Sequence, residues 1–229
     1  MAYQDFTAWT EGADTGGALS QTASRATFTA LELSDDAYLY KDFGAAYFDG
    51  DFEHLFEILL SIQGSDAAVF AYLLANVPGS FQDVYGAGGP TLCVSSTSFF
   101  IFHLFALQET EGVDVYQDAW INAQLNTLYF ITVERDESVG SFGTAYLYIR
   151  TGSHDGALQS LVTVALHTSK KDFRYLEATT GFHVAGSNPI TGYVQNLDLQ
   201  EPEEVGITLT QIGRGFARGN LRGLNRGAV

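Results

Sequence analysis

The apolar segments of this 229-residue chain are strand-length, aromatic and β-branched, and glycine, aspartate, asparagine or serine closes each of them. Punctuation at that spacing leaves little room for long helices and predicts an all-β chain. The segments at 25–33, 37–42, 52–62, 67–76, 91–96, 99–109, 114–121, 127–136, 144–151, 158–167, 172–178 and 191–199 are expected strands. With 46% hydrophobic residues, the chain can bury the core of a two-sheet sandwich.

One segment is ambiguous. "DFEHLFEILL" holds helix formers, but the even positions Phe52, His54, Phe56, Ile58, Leu60 and Ile62 form a nearly apolar strand face, with Glu53 and Glu57 on the other. The period of two predicts a strand whose even side chains face the core.

Acids outnumber bases 27 to 11, for a net charge of −16. An acidic body repels phosphate backbones and anionic membrane surfaces, so nucleic-acid binding through the main domain is not expected. The single cysteine, Cys93, excludes an internal disulfide. No apolar run reaches the roughly 18 residues of a membrane-spanning helix, and the start "MAYQDFTAWT" lacks signal-peptide character, so synthesis in a cytoplasm is expected. "QEPEEVG" at 200–206 breaks the strand pattern and divides a domain at 1–199 from a segment at 200–229.

"TLYFITVERDES" followed by "GTAYLYIRTG" resembles the paired central strands of concanavalin A-like, laminin G-type jelly rolls. "FDGDFEHLFEILL" is similar to their early core strand and "TGYVQNLDL" to the strand that closes the sandwich. The resemblance spans roughly residues 25–199 and implies a two-sheet antiparallel jelly roll. Sequences similar to the whole domain are mostly of viral or environmental origin, which implies a component of a virus particle. Relatives of this kind often bind calcium through loop oxygens, which nominates Asp49 and Asp51 in "FDGDF".

Such folds host lectins, hydrolases and structural domains, so side chains must decide. Glycoside hydrolases of this superfamily carry a compact acidic cluster on one strand, Glu-x-Asp-x-x-Glu or Glu-x-Asp-x-Glu. Here Leu55 stands between Glu53 and Glu57, and Glu134, Asp136 and Glu137 run into a turn, so no enzyme is expected. "GSHDG" at 152–156 reads as a hairpin loop rather than a triad, and no histidine spacing suits zinc. Sugar binding needs aromatic platforms beside amides or carboxylates, and Tyr72 with Asn76, Tyr85 in "QDVYGAGG", and Trp120 with Asn122 are the candidates.

The last 17 residues, "GRGFARGNLRGLNRGAV", place Arg214, Arg218, Arg222 and Arg226 four apart, each followed by glycine. As a strand or as a helix, the comb presents a cationic stripe beside small residues, with Phe216, Leu221 and Leu224 as apolar contacts. The complementary surface is the acidic body of another copy or of another particle protein. The sequence therefore reads as a non-enzymatic structural or adhesive particle component that assembles as a homo-oligomer through its tail. A carbohydrate-binding lectin is the alternative and a divergent glycoside hydrolase comes third.

Overall fold

The computed structural model describes residues 3–14, 16–31, 37–65, 67–99, 102–112, 114–167, 173–183 and 189–200. The Arg-Gly comb, with Arg214, Phe216, Arg218, Leu221, Arg222, Leu224 and Arg226, lies outside the described residues. Fourteen strands follow in chain order: β1 (Thr10–Gly12), β2 (Leu19–Gln21), β3 (Arg25–Leu31), β4 (Tyr38–Asp42), β5 (Phe52–Gln63), β6 (Ala67–Ala75), β7 (Thr91–Phe99), β8 (Phe102–Glu111), β9 (Asp114–Ala123), β10 (Tyr129–Asp136), β11 (Thr144–Thr151), β12 (Ala157–Ala165), β13 (Tyr175–His183) and β14 (Ile190–Asp198). A helix, α1 (Phe81–Gly86), lies between β6 and β7.

Two seven-stranded antiparallel sheets stack face to face as a jelly-roll sandwich. The front sheet runs β12-β11-β10-β5-β14-β3-β2 and the back sheet β1-β4-β13-β6-β7-β8-β9. Alternation fixes what each front strand buries. On β10, Tyr129, Ile131, Val133 and Arg135 point inward; on β11, Ala145, Leu147 and Ile149 do, while Tyr146, Tyr148 and Arg150 stay half-exposed outside. Phe28, Phe56, Ile58 and Val194 meet Val69, Leu74, Val94, Phe105 and Leu107 of the back sheet in one continuous core.

β6 breaks the alternation because both its faces are covered. Every residue of "AAVFAYLLA" is buried: one side enters the sandwich, and the other lies beneath α1. The segment around Tyr85 forms this short helix. Ser80 caps it by accepting from the Asp83 amide (3.2 Å), and Phe81 stacks on Phe70 with ring centres 3.7 Å apart.

β5 is a strand, as its period of two requires, but its even face is not apolar to the end. Pairing with β14 steps from Thr191 opposite Ile62 to Gly192 opposite Leu60, leaving Ser61 as a bulge. The slip turns Ile62 outward, 53% exposed, and brings Gln63 inside. Gly192 is required there, because a Cβ would run into the Leu59 carbonyl oxygen.

Candidate functional site

Among the described residues no strand or helix packs on the outer face of the front sheet, and strand register orders it in rows. Glu53, Glu134 and Tyr146 lie opposite one another across β5, β10 and β11. Leu55, Thr132 and Tyr148 form the next row. The third runs Arg25, Gln195, Glu57, Phe130, Arg150 across β3, β14, β5, β10 and β11. The turn between β11 and β12 adds His154 and Asp155 above Phe130, whose ring meets His154 edge-on at 5.3 Å.

Three adjoining depressions follow this face. The first, about 340 Å3, is lined by Glu53, Leu55, Thr132, Glu134, Tyr148, Arg150, His154 and Asp155. Sharing Glu53 and Glu134 with it, the second is about 510 Å3 and reaches Asp51, Asp136 and Ser138. The third, about 490 Å3, shares Asp51, Phe52 and Glu53 and turns inward beside Tyr47, Phe48 and His54. Together they make a trough across the end of the front sheet.

Its polar groups are held in place. Tyr148 donates its hydroxyl to Glu134 Oε2 at 3.0 Å, and the Arg150 guanidinium lies 5.0 Å from the centre of the Tyr148 ring. Burial, and then the bond to the Glu134 carboxylate, raise the Tyr148 hydroxyl above the usual phenol range, so it stays protonated. Glu57 accepts from Gln195 Nε2 (2.6 Å) and Asn196 Nδ2 (2.9 Å). Arg25 donates to Gln195 Oε1 (3.0 Å) and covers the Tyr193 ring at 3.9 Å. Burial lowers the His154 imidazole below its ordinary value, which keeps it neutral at neutral pH. A neutral imidazole, a phenol, a guanidinium and carboxylates around one depression can bind hydroxyls and move protons.

The trough is acidic. Asp51, Glu53, Glu134, Asp136 and Asp155 line the three depressions against Arg135 and Arg150, and Glu57 and Arg25 lie beside them in the third row.

Sugar platforms predicted from sequence do not converge here. Tyr72 is sealed in the core, 2% exposed, with its hydroxyl on His54 Nδ1 at 2.7 Å, so it offers no face to a ligand. Asn76 follows the end of β6 in an exposed turn. Tyr85 lies flat against Phe81 on α1, over the back sheet. Trp120 packs edge-on against Tyr129, and Asn122 is exposed on β9, at the back-sheet edge. The aromatic side chains on the open face are Phe130, Tyr146, Tyr148 and Tyr193 instead. Sequence reasoning missed them because choosing the outward face requires knowing which sheet stays open. In "TAYLYIRT" the alternation itself was legible.

At the nominated calcium position, Asp51 Oδ1 accepts from the Glu137 amide at 2.7 Å. No group of three or more His, Cys, Asp or Glu side chains placed to hold a metal occurs among the described residues. Nor is any helix among them long and apolar enough to cross a membrane.

A two-sheet jelly roll with one open, polar, aromatic-bearing sheet has the architecture of lectin-like and polysaccharide-lyase sandwiches. Solved structures similar to this chain make the point directly. The alginate lyase Aly36B has a TM-score of 0.57 at 13% identity, over 84% of this chain and 86% of that one. A legume lectin-like domain from Entamoeba histolytica scores 0.53 at 10% identity, over 79% and 85%. The marine PL-14 alginate lyase from Aplysia kurodai scores 0.51 at 11% identity, over 83% and 86%. No family model matches the chain, and no curated protein matches it. At these identities the likeness is one of fold, and the concanavalin A-like resemblance read from the sequence holds at that level.

The expectation that the chain is not an enzyme is corrected by the same findings. It rested on a missing one-strand acidic cluster, whereas two of these similar structures are lyases on the same sandwich. Absence of one catalytic pattern does not exclude catalysis on a fold that supports others.

Proposed function

We propose that the chain binds a neutral polysaccharide along the front-sheet trough. The observation that carries this reading is the set of adjoining depressions sharing Glu53, with Tyr148 in the lining of the first, Tyr47 in that of the third, and carboxylates along all three. Sugar rings stack their apolar faces on aromatic platforms while their hydroxyls bond to such groups. Alginate, named for two of the similar structures, is a poor fit to a trough lined by five carboxylates against two arginines, because a polyuronate would meet like charge.

A second reading is favoured by register. Glu53 and Glu134 are direct cross-strand partners, a placement that sets Cβ atoms about 5 Å apart. From that placement the two flexible side chains can bring their carboxyls to the about 5 Å that retaining glycoside hydrolysis uses, and like charges placed there carry a stability cost that function would explain. On this reading the trough cleaves what it binds.

Titration of the full chain with neutral tetrasaccharides of the gluco, manno and galacto series, and with an alginate tetrasaccharide, tests both. Tyr148→Ala is expected to weaken neutral binding about 30-fold, on the order of 2 kcal/mol for a central aromatic contact. Unchanged affinity would remove Tyr148 from the site. Glu134→Gln should retain binding and abolish new reducing ends; if the parent releases none, the cleavage reading ends.

The acidic body and the Arg-Gly comb support one further part of the reading, assembly of particle subunits through the tail. Deleting 206–229 is expected to reduce the mass measured in solution to that of one chain, and a parent already monomeric would end the idea.

A further inference from the structure

The third depression differs from the rest of the trough. It enters the sandwich between the residues preceding β5 and Leu199 and Gln200, which follow β14, and His54 is part of its lining. His54 is 2% exposed, flat against Phe52 with ring centres 4.4 Å apart. Its Nδ1 meets the Tyr72 hydroxyl at 2.7 Å; Nε2 has no hydrogen-bond partner among the described residues, and the ring is part of the cavity lining.

The proton can be placed. Tyr72 is fully buried and the His54 nitrogen is its hydrogen-bond partner, while the charged neighbour Arg135 has donors only. A buried hydroxyl hydrogen left without an acceptor is costly, so the phenol donates to Nδ1. Burial holds the His54 pKa at about 3, so the ring is neutral and its single N–H is on Nε2. The ring that carries this donor lines a cavity together with Tyr47 and Phe48 and with the Asp51 and Glu53 carboxylates.

We propose that this cavity is the end subsite of the trough and takes the terminal ring of a neutral glycan. The ring's apolar face lies against Tyr47, hydroxyls donate to Asp51 and Glu53, and one ring or hydroxyl oxygen accepts from His54 Nε2. An ammonium group would leave the His54 donor unused, and a uronate would place a carboxylate between two others. This assignment rests on the trough reading and narrows it to neutral, chain-end recognition.

The test is nitrogen NMR of the His54 ring in the full chain during titration with cellotetraose, mannotetraose, galactotetraose and alginate tetrasaccharide, with calorimetry on Tyr47→Ala in parallel. Tyr47 is 41% exposed, so its truncation leaves the core intact. At least one neutral tetrasaccharide should shift the Nε2 resonance, and Tyr47→Ala should weaken that ligand about tenfold, a typical loss for a rim aromatic. Neutral binding with a still Nε2 signal and unchanged affinity in Tyr47→Ala overturns the end subsite and leaves the trough standing. Preferential alginate binding with an Nε2 shift overturns the neutral-ring assignment. If none of the four binds, the trough reading falls and the subsite with it.

Discussion

Arg135→Ala is expected to lower the melting temperature by about 10 °C, corresponding to about 3 kcal/mol for a domain of this size. Arg135 is an inward-facing cation on β10, 1% exposed. Its Nη1 donates to the Phe48 carbonyl at 3.0 Å and its Nη2 lies 2.8 Å from Glu137 Oε1. Those contacts tie the segment before β5 to the end of β10, so truncation removes a tether, strands a buried carbonyl and opens a cavity at once. Arg135→Met separates charge from packing, since its unbranched stem restores most of the filled volume. Recovery in the methionine variant assigns the loss to packing; equal loss in both assigns it to the guanidinium. A variant melting within two degrees of the parent would show that Arg135 holds nothing. Because Phe48 walls the end cavity, loss of glycan affinity should accompany the alanine change even below the melting transition.

Glu177→Gln should raise stability at neutral pH and flatten its pH dependence. Glu177, on β13 beneath α1, is completely buried; Oε1 accepts from the Gly79 amide at 3.2 Å and Oε2 has no partner. Burial raises its pKa well above the ordinary 4.5, the Gly79 bond opposes the shift, and Asp83 on α1 adds to it. Cys93 on β7 also faces this pocket, and burial raises its thiol well above the ordinary range. A carboxyl with a raised folded pKa binds its proton more tightly when folded. Its stabilising contribution is complete below the unfolded value and is lost as pH climbs from about 4.5 toward the folded one. Each unit of displacement corresponds to about 1.4 kcal/mol at pH above both values. The glutamine variant keeps an acceptor for Gly79 without a charge, so parent and variant should melt together near pH 4 and separate by several degrees at about pH 7. Thermal melts across that range check it; a variant less stable at pH 7 would mean that the carboxylate is paired there.

Most strands were legible because period-two patterning is a local property. "TLYFITVERD" and "TAYLYIRT" declare which residues share a face, and the structure keeps β10 and β11 within two residues of those segments. β6 was legible as a strand but not as a doubly covered one, since only α1 makes its outer face dry. The candidate site was harder. His154 sits in a turn that reads as a plain hairpin loop, and only the β11–β12 connection carries it over Phe130. Glu53 and Glu134 are 81 positions apart in the chain, and nothing local announces that they are direct partners. The one-strand search for paired carboxylates therefore could not find them.

By itself the sequence determined the fold class, twelve of the fourteen strands among the described residues and the acidic character, because each follows from composition and from patterns read within a few neighbouring residues. Which sheet face stays open, which tyrosines line the trough and which histidine is buried beside a cavity were decided only by tertiary structure. Those outcomes depend on the register between distant strands and on what covers each face. A one-residue slip, as at Ser61, is enough to exchange the inside of a strand for its outside.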